Sequence, residues 1–508
     1  MTMPRRITRC LIVCTLSLAL ASPVSGQPQW NNRPLDFSVR DSAGHDIGAE
    51  DSSGPALPSL TSSVGQAASN EEVQLGRAWL RQFRAHAPLW DDPVTQDYLE
   101  SLIARLLPHS GLGNAKILVT LVESPTLNAF AVPGGVVGVN AGLFAFAEGE
   151  AALASVLAHE LGHLSQRHYA RGVARAEQTQ IPAMAAMLAG MLIAAGGGGD
   201  AGIGVAMGSQ AALLQDQLAY SRRFEQEADR IGLQAMTEAG FDPMAMVEMF
   251  RAMQRMASLQ GGNPPEFLLS HPVTESRLSD TLDRARRLSV EASPRDALAY
   301  HLIRARALLA IHDRDPGQAA TRLTEDGAPQ ASQRYLAALI DADAGKADSA
   351  LRELDALARE HPDLAMLPVS AAYLAFDAGR IDEAIERSRR QLRFMPGYVP
   401  ATRLLGEALL QRDPDEAWRV LDELANRRPE DPQVFTLLAE AAGRSGREAL
   451  GHLARAEQLQ LTGHIDAAIR QLGVAKRVAE REGNTRATTR IAQRREAFLG
   501  YREALERF

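Results

Sequence analysis

Two histidines four residues apart form the part of this sequence best suited to hold a metal ion. His159 and His163 belong to the run His-Glu-Leu-Gly-His, which follows an apolar, alanine-rich stretch that favours a helix. Residues four apart lie on the same face of a helix, so both imidazoles can reach one tetrahedral Zn²⁺. Glu160 is expected on the rim of that face, where it can take a proton from a metal-bound water. The motif therefore predicts a zinc-dependent hydrolase.

A catalytic zinc needs a third protein ligand, and an acidic stretch further along the chain offers candidates. Glu225, Glu227 and Asp229 lie within seven residues of Arg223. Glu225 and Asp229 are one helical turn apart, so one can bind the metal while the other orients a ligand imidazole. Spacing alone does not decide whether Glu225 or Glu227 is the ligand.

The surrounding patterns predict an α+β domain that is mostly helical. Helical periodicity begins near residue 71, and strand patterns cover residues 116–122 and 128–132 before a Pro-Gly-Gly turn leads into 136–139. A small sheet thus precedes the histidine helix. At 508 residues the chain is too long for a single core, and we assign residues 71–290 to this metalloprotease domain.

The N-terminal residues have the layout of a cleavable secretory leader. Basic residues precede a short apolar run and then small residues, which predicts a signal peptide over 1–26 and a periplasmic protein. Both cysteines, Cys10 and Cys14, fall inside that leader, so no disulfide is expected in the exported chain. Residues 27–70, rich in Gly, Ser, Pro and Asp, are interpreted as a disordered lead-in. The formal charge of −8 argues against nucleic acid as a partner.

Residues 181–214 combine two apolar runs, the first rich in Met, with a glycine cluster between them. The first run is shorter than a membrane span requires. Two interpretations stay open, a buried helical hairpin and a lid or membrane-surface element.

From about residue 295 the sequence becomes helical throughout and repeats itself. Asp-Ala-Gly recurs at Gly345 and Gly379, and Pro362, Pro396 and Pro429 follow at steps of 34 and 33 residues. A period of 34 with small residues at helix contacts is typical of tetratricopeptide repeats. We predict an all-α solenoid over 295–508 with about four repeats and one extra helix near 432–449, and its groove is expected to bind protein partners.

Together these residues resemble the CAAX-prenyl-protease-type zinc metallopeptidases. The resemblance rests on the histidine motif, on Glu225-x-x-Ala-Asp229, on Asn128-Ala129-Phe130-Ala131 and on Gln166-Arg167-His168. It implies a gluzincin-like fold in which Glu225 is the third zinc ligand. It also implies that Asn128, Ala129 and Phe130 form an edge strand that pairs with the substrate backbone.

The resemblance narrows to periplasmic members of that family that serve as protease and chaperone for outer-membrane proteins. The leader, the repeats, Leu269-Ser270-His271-Pro272 and Glu275-Ser276-Arg277-Leu278 support it. It implies two kinds of partner: unfolded or misassembled outer-membrane proteins, and assembly-machinery proteins held in the repeat groove. His271 is implied to lie near the zinc, either as an oxyanion donor or as a displaceable fourth ligand that keeps the protease latent, and we favour the second role.

The sequence thus predicts a secreted zinc endopeptidase with one Zn²⁺ per chain. His159, His163 and Glu225 are expected to bind the metal, Glu160 to act as general base and then acid, and Asp229 to support catalysis. The alternative is an assembly scaffold or chaperone whose zinc site is latent or regulatory. An intact Glu160 argues against that alternative, since a structural zinc has no need of it.

Overall fold

The computed structural model describes residues 70–176, 221–259, 266–288 and 297–506. The predicted leader, nearly all of the lead-in, and the segment 181–214 lie outside these residues. Over the described ranges the chain is mostly helical with one small sheet, which confirms the predicted fold class. None of the described helices has the length and apolar character needed to cross a membrane.

The helices before residue 288 surround the sheet. Their bounds are α1 (Asn70–His86), α2 (Pro93–Leu106), α3 (Ala141–Phe146), α4 (Glu150–Ser165), α5 (168–176), α6 (221–238), α7 (Met244–Leu259), α8 (Glu266–Ser270) and α9 (Glu275–Ala285), with a 3-10 turn at Leu107–His109. Helix α2 shows how the sequence sets such a start. Asp92 accepts hydrogen bonds from the backbone N–H groups of Val94 and Thr95, and Pro93 occupies the first turn, where no N–H is needed.

The sheet has three strands, β1 (Leu118–Val122), β2 (Ala129–Val132) and β3 (Val136–Asn140), in the order β1-β3-β2. β3 pairs with β1 in parallel and with β2 in antiparallel fashion. The tight Pro-Gly-Gly turn makes β2 and β3 a hairpin, and β3 is buried throughout. Among the described residues no further strand pairs with β2, which is consequently an edge strand of the sheet.

Two glycines bring α4 and α6 close together. A Cβ on Gly162 would lie 2.9 Å from the carbonyl oxygen of Ala228, and a Cβ on Gly232 would lie 2.8 Å from the backbone nitrogen of His159. Only residues without a side chain allow the two backbones to approach this far. This contact presents the acidic residues of α6 to the histidines of α4.

After residue 297 the chain forms six consecutive helical hairpins in the described residues, rather than the four predicted. Their helices are α10 (Ala297–Ile311), α11 (Pro316–Glu325), α12 (Gln330–Asp343), α13 (Ala347–Glu360), α14 (Met366–Asp377), α15 (Ile381–Phe394), α16 (Val399–Leu409), α17 (Pro414–Arg427), α18 (Pro432–Arg444), α19 (Glu448–Leu461), α20 (Ile465–Arg481) and α21 (Thr485–Glu506). The first helices of the hairpins start 33 to 36 residues apart. The region 432–449 therefore holds a regular repeat that lacks the Asp-Ala-Gly marker, and no extra helix.

The repeats pack against the first part of the chain at both ends of the array. The Tyr300 hydroxyl donates to the carbonyl oxygens of Ala147 (2.6 Å) and Phe144 (3.2 Å), and the Tyr300 ring belongs to the same buried apolar cluster as α4. Near the other end, Arg81 Nε of α1 donates to Gln460 Oε1 at 2.7 Å. The hairpins and the sheet-containing part thus share an apolar core and buried polar contacts.

Candidate metal centre

Four side chains with metal-ligating atoms converge between α4, α6 and the turn after α8. Ligand atoms of His159, His163, Glu225 and His271 all lie within 4.8 Å of one another. His159 and Glu225 are fully buried, whereas His163 and His271 are partly exposed. The structure therefore brings together the three predicted ligands and the histidine predicted near them.

The spacing of the donor atoms fits a tetrahedral zinc ion. His159 Nε2 lies 3.0 Å from His163 Nε2, and the two Glu225 carboxylate oxygens lie 3.5 Å and 3.4 Å from those two nitrogens. Two ligands at the usual zinc distances with a tetrahedral angle between them are about 3.3 Å apart. Two imidazole nitrogens and one carboxylate are also the ligand set of catalytic zinc sites with an open position. Zinc therefore fits the residues present.

Glu160 lies deeper than its predicted rim position. Its side chain is buried, because β2 covers it and the backbone N–H of Ala131 donates a hydrogen bond to its carboxylate. Burial raises the Glu160 pKa above its ordinary value. Its Oε1 atom has no hydrogen-bond partner among the residues that the structure describes, and it lies 3.7 Å from His271 Nε2. A buried, unpaired carboxylate oxygen beside the ligand cluster is suited to take up a proton.

His159 is held from behind by a carboxylate and a guanidinium. Its Nδ1 lies 2.9 Å from Asp229 Oδ1. Arg277 donates a 2.7 Å hydrogen bond to each Asp229 carboxylate oxygen, and its Nη1 also lies 3.0 Å from Glu225 Oε2. Burial lowers the His159 pKa, but the hydrogen bonds to Asp229 and Glu225 outweigh burial and raise it to about 9. Such an imidazole is oriented and made more basic, which strengthens a metal ligand. Asp229 is therefore placed to position His159.

His163 is supported by a longer chain of side chains. Its Nδ1 lies 2.9 Å from His168 Nδ1, and His168 Nε2 lies 3.0 Å from Glu227 Oε2, which also accepts a 2.7 Å bond from Arg171. The Phe224 ring stacks on His168 at 4.2 Å. With His163 Nε2 toward the metal, its Nδ1–H donates to His168, and His168 Nε2–H then donates to Glu227. Glu227 thus supports a ligand and is not itself close to the cluster.

The end of α4 places His168 under His163. Arg167 adopts φ of 50°, the left-handed conformation that ends many helices, and the chain then turns into α5. The Arg167 side chain pairs with Glu72 of α1 at 3.0 Å, which helps to hold this unfavourable conformation. This short turn brings the His168 side chain back toward α4, next to His163.

His271 lies between the ligand Glu225 and the buried Glu160. Its Nδ1 lies 3.0 Å from Glu225 Oε1, and its Nε2 faces Glu160. The following carbonyl, of Pro272, accepts a 2.8 Å hydrogen bond from Arg277 Nη1. This location suits both roles considered for His271, and the hydrogen bond from Arg277 holds the backbone at Pro272, just after it.

The predicted substrate strand lies along the same site. Asn128 directly precedes β2, and its carbonyl accepts from the Asn140 N–H. Ala129 is buried, while the Phe130 ring packs over Gly138 and edge-on against Trp79 and Phe83 of α1. The Ala131 N–H points to Glu160, so the outer edge of β2 faces the catalytic cluster.

Sequence reasoning assigned no role to Arg277 or to His168. Both residues belong to motifs that support the family resemblance, Glu275-Ser276-Arg277-Leu278 and Gln166-Arg167-His168. One signal could have identified Arg277: the acidic stretch of α6 must be partly buried to reach the histidines, and buried carboxylates need a cation. For His168 the signal is weaker, since its partner Glu227 is distant in sequence.

The family comparison agrees with this geometry. Residues 93–285 match Peptidase family M48, whose members are zinc-dependent, and residues 375–441 match a tetratricopeptide repeat. Similar curated proteins include the "Beta-barrel assembly-enhancing protease" of Escherichia coli strain K12, which is 32% identical over 433 residues, or 83% of this chain and 87% of that protein. The protein of the same name from Yersinia pestis is 32% identical over 81% of this chain and 86% of its own.

More distant similarities are shorter. The "Mitochondrial metalloendopeptidase OMA1" of Schizosaccharomyces pombe is 33% identical over 186 residues, which are 36% of this chain and 50% of that one. Among solved structures, the similarity to the yeast Tom70 covers 55% of this chain and 61% of the Tom70 chain. The sequence identity is 15% and the TM-score is only 0.28. The zinc ligand set, the M48 match and the length of similarity to the E. coli protein together make this chain a zinc metallopeptidase of Peptidase family M48, in the group of β-barrel assembly-enhancing proteases.

Proposed function

We propose that this enzyme works in the bacterial periplasm, where it cleaves misassembled outer-membrane proteins and assists their assembly. The observation that carries the proposal is a buried, unpaired Glu160 oxygen between a zinc ligand set and a free strand edge. His159, His163 and Glu225 would hold the zinc. The names of the E. coli and Yersinia relatives support the choice of β-barrel proteins as substrates.

The chain's own residues supply the proton transfers and the positioning. When bound, zinc supplies a Lewis acid that polarises the scissile carbonyl and acidifies water. Glu160 takes the proton of the attacking water and returns it to the leaving amine, and its raised pKa brings it closer to the working pH. Asp229 and Arg277 keep His159 oriented during this cycle.

A substrate in extended conformation would bind by adding a strand to β2. Backbone groups on the outer edge of β2, such as those of Ala129, give such pairing without requiring a particular sequence, while Asn128 and Phe130 on either side face β3. Unfolded β-barrel segments are strand-forming, so this mode of recognition fits them. The tetratricopeptide hairpins provide a protein-binding surface, through which we propose contact with assembly-machinery proteins.

His271 is proposed to hold the enzyme latent as a displaceable fourth ligand. Its position in the ligand cluster supports this role, and the turn before Pro272 is where it would move. His271→Ala should retain zinc and increase proteolysis or self-cleavage. Retained zinc with slower hydrolysis would instead assign His271 to oxyanion stabilisation.

The proposed chemistry is tested most directly at Glu160. Glu160→Gln should keep about one zinc per chain and the wild-type melting temperature, yet lose peptide hydrolysis by several orders of magnitude. Glu148→Gln, at an exposed residue near the start of α4, is the matched control and should behave as wild type. Unchanged hydrolysis by Glu160→Gln would refute its role as general base.

The alternative is a scaffold with a latent or regulatory zinc site. It is favoured by one observation, the six hairpins that follow α9, which make up more than half of the described residues. If Glu160→Gln restores outer-membrane assembly in a strain lacking the enzyme as well as wild type does, the scaffold activity is sufficient for that task.

A further inference from the structure

A large cleft separates the sheet-containing part of the enzyme from the first helical hairpin. Its volume is about 980 Å³. Leu127, Phe146 and Met256 line it on the side of the sheet-containing part, and residues of α10, of α11 and of the turn between them line the rest. We refer to it as the α3–α11 cleft. The volume reaches the upper end of the range for ligand pockets, about 300–1,000 Å³.

The cleft adjoins the residues that precede the proposed substrate strand. Pro125, Thr126 and Leu127 line it, and Asn128 and β2 follow them directly in the chain. A strand added to the outer edge of β2 advances about 3.3 Å per residue. A substrate that extends two or three residues past Asn128 would therefore come near residues 125–127 and the cleft that they line.

The two sides of the cleft differ in character. The wall formed by Leu127, Phe146 and Met256 is apolar, and Leu308 and Ile311 of α10 extend it across the floor. The rim from the α10–α11 turn onward is polar and carries charges of both signs: His312, Asp315, Gln318, Arg322 and Glu325. Successive side chains of an extended chain point to opposite sides. A segment with alternating apolar and polar residues would therefore match the floor with one set and the rim with the other.

We propose that the α3–α11 cleft is a distal substrate subsite that binds an extended polypeptide segment of alternating apolar and polar residues. The proposal rests on the proposed strand addition at β2 and adds the substrate class to it. Alternation of this kind is the pattern of strands with one apolar face, as in membrane β-barrels. The subsite lies beyond the reacting atoms, so it acts on substrate binding and leaves the chemical step unchanged.

The test compares a short peptide with longer ones. A fluorogenic peptide of six residues covers the site alone, and two further peptides extend it by six alternating Val and Thr residues at either the amino or the carboxyl end. In the wild-type holoenzyme one of the two extensions should lower KM about tenfold, equivalent to about 1.4 kcal/mol of binding, with kcat unchanged. The extension that does so gives the direction of the bound strand.

Variants of the cleft should remove that gain and nothing else. Ile311→Glu places a charge on the half-buried floor, and Thr321→Trp fills the cleft from an exposed position that does not disturb the core. Both should bind zinc and hydrolyse the short peptide as wild type does, but lose the tenfold advantage of the extended one. Ile469→Glu, at another half-buried isoleucine in α20, is the control and should keep the advantage.

Two outcomes would overturn the proposal. One is a wild type that gains from neither extension, and the other is an advantage that survives in Thr321→Trp. Binding of the extended peptides to the Glu160→Gln holoenzyme, followed by fluorescence anisotropy, gives the same comparison without hydrolysis. If no peptide is cleaved but the extended one binds in a cleft-dependent manner, the catalytic proposal fails and the subsite stands.

Discussion

The two histidines of α4 that we propose as zinc ligands are supported by series of side chains that differ in length and exposure. Behind His159, one carboxylate and one guanidinium complete the support, and both side chains are about 3–4% exposed. Behind His163 there is an additional histidine before the carboxylate of Glu227, which is 40% exposed. Both series of side chains end at an arginine, Arg277 behind His159 and Arg171 behind His163, and only Arg277 is buried.

The buried pair of Asp229 and Arg277 does more than orient one imidazole. Arg277 contacts Asp229 behind His159, the ligand Glu225, and the carbonyl of Pro272 next to His271. A single cation thus organises three of the four residues of the cluster, and it balances two buried carboxylates. Arg171 and Glu227 organise only His163, in a position where solvent screens their charges. The metal site is therefore expected to depend unequally on its two supports.

Removing the buried cation should have the largest effect. In Arg277→Ala, Asp229 and Glu225 lose their shared cation inside the protein, and breaking a buried ion pair costs about 3–5 kcal/mol. We expect a marked loss of unfolding free energy in denaturant titrations, together with loss of zinc. Arg230→Ala, whose partner Asp280 lies at the surface, is the control and should change stability by less than about 1 kcal/mol. Equal losses in both variants would contradict the assigned difference.

Asp229→Asn should come next. The amide keeps the shape of the side chain but cannot hold the His159 tautomer or neutralise Arg277 as the carboxylate does. Zinc dissociation, followed with a colorimetric chelator, is expected to accelerate about 10–100-fold. Asp280→Asn tests the loss of an acid on a neighbouring helix and should leave the rate unaltered. An unchanged rate in Asp229→Asn would mean that His159 needs no support.

His168→Phe should have a smaller effect than Asp229→Asn. Phenylalanine preserves the stacking on Phe224 but removes the acceptor for His163 Nδ1–H, so zinc should dissociate about tenfold faster. His109→Phe, at a partly exposed histidine paired with Glu238, serves as control. If His168→Phe releases zinc as fast as Asp229→Asn does, the greater solvent exposure of the side chains behind His163 does not make them the less important support.

The smallest effect is expected at Glu227. Because Glu227 supports His163 only through its hydrogen bond to His168, we expect Glu227→Gln to release zinc faster by a factor of only about two to three. Hydrogen bonds from His168 and Arg171 lower the Glu227 pKa to about 2. Its contribution is complete above pH 4.5 and is lost only as the pH falls toward 2, so the factor should not vary between pH 6 and 8. A pH-dependent factor in that interval would contradict this assignment.

Local spacing was sufficient to predict the parts of the site that lie on one helix. His159, Glu160 and His163 are placed by the helical turn alone, and Glu225 and Asp229 share a helix in the same way. The contacts of Arg277 and His168 could not be predicted, because each depends on where separate helices cross. That crossing is set by Gly162 and Gly232, whose importance lies in what their missing side chains allow. The burial of Glu160 was missed for the same reason, since β2 covers it from another part of the chain.

The repeats show the same limit on a larger scale. Gly345 and Gly379 mark two units in the sequence, but the hairpin of α18 and α19 lacks that marker, so the sequence suggested an extra helix where the fold has a regular unit. Contacts such as Tyr300 with Ala147 join segments about 150 residues apart and leave no periodic signal. Helix periodicity predicts each unit, whereas the surface on which the units dock depends on the folded neighbour.

The contact of α1 with the last hairpins has a consequence for the order in which the protein is made. Trp79 and Phe83 of α1 brace the edge strand at Phe130, while Arg81 of the same helix bonds Gln460, 379 residues later in the chain. During synthesis α1 emerges early, and the face of α1 that contacts α19 and α21 stays uncovered until those helices have been made. The brace on the substrate strand is therefore completed only when almost the whole chain exists, and a truncated product would carry the histidine motif without it.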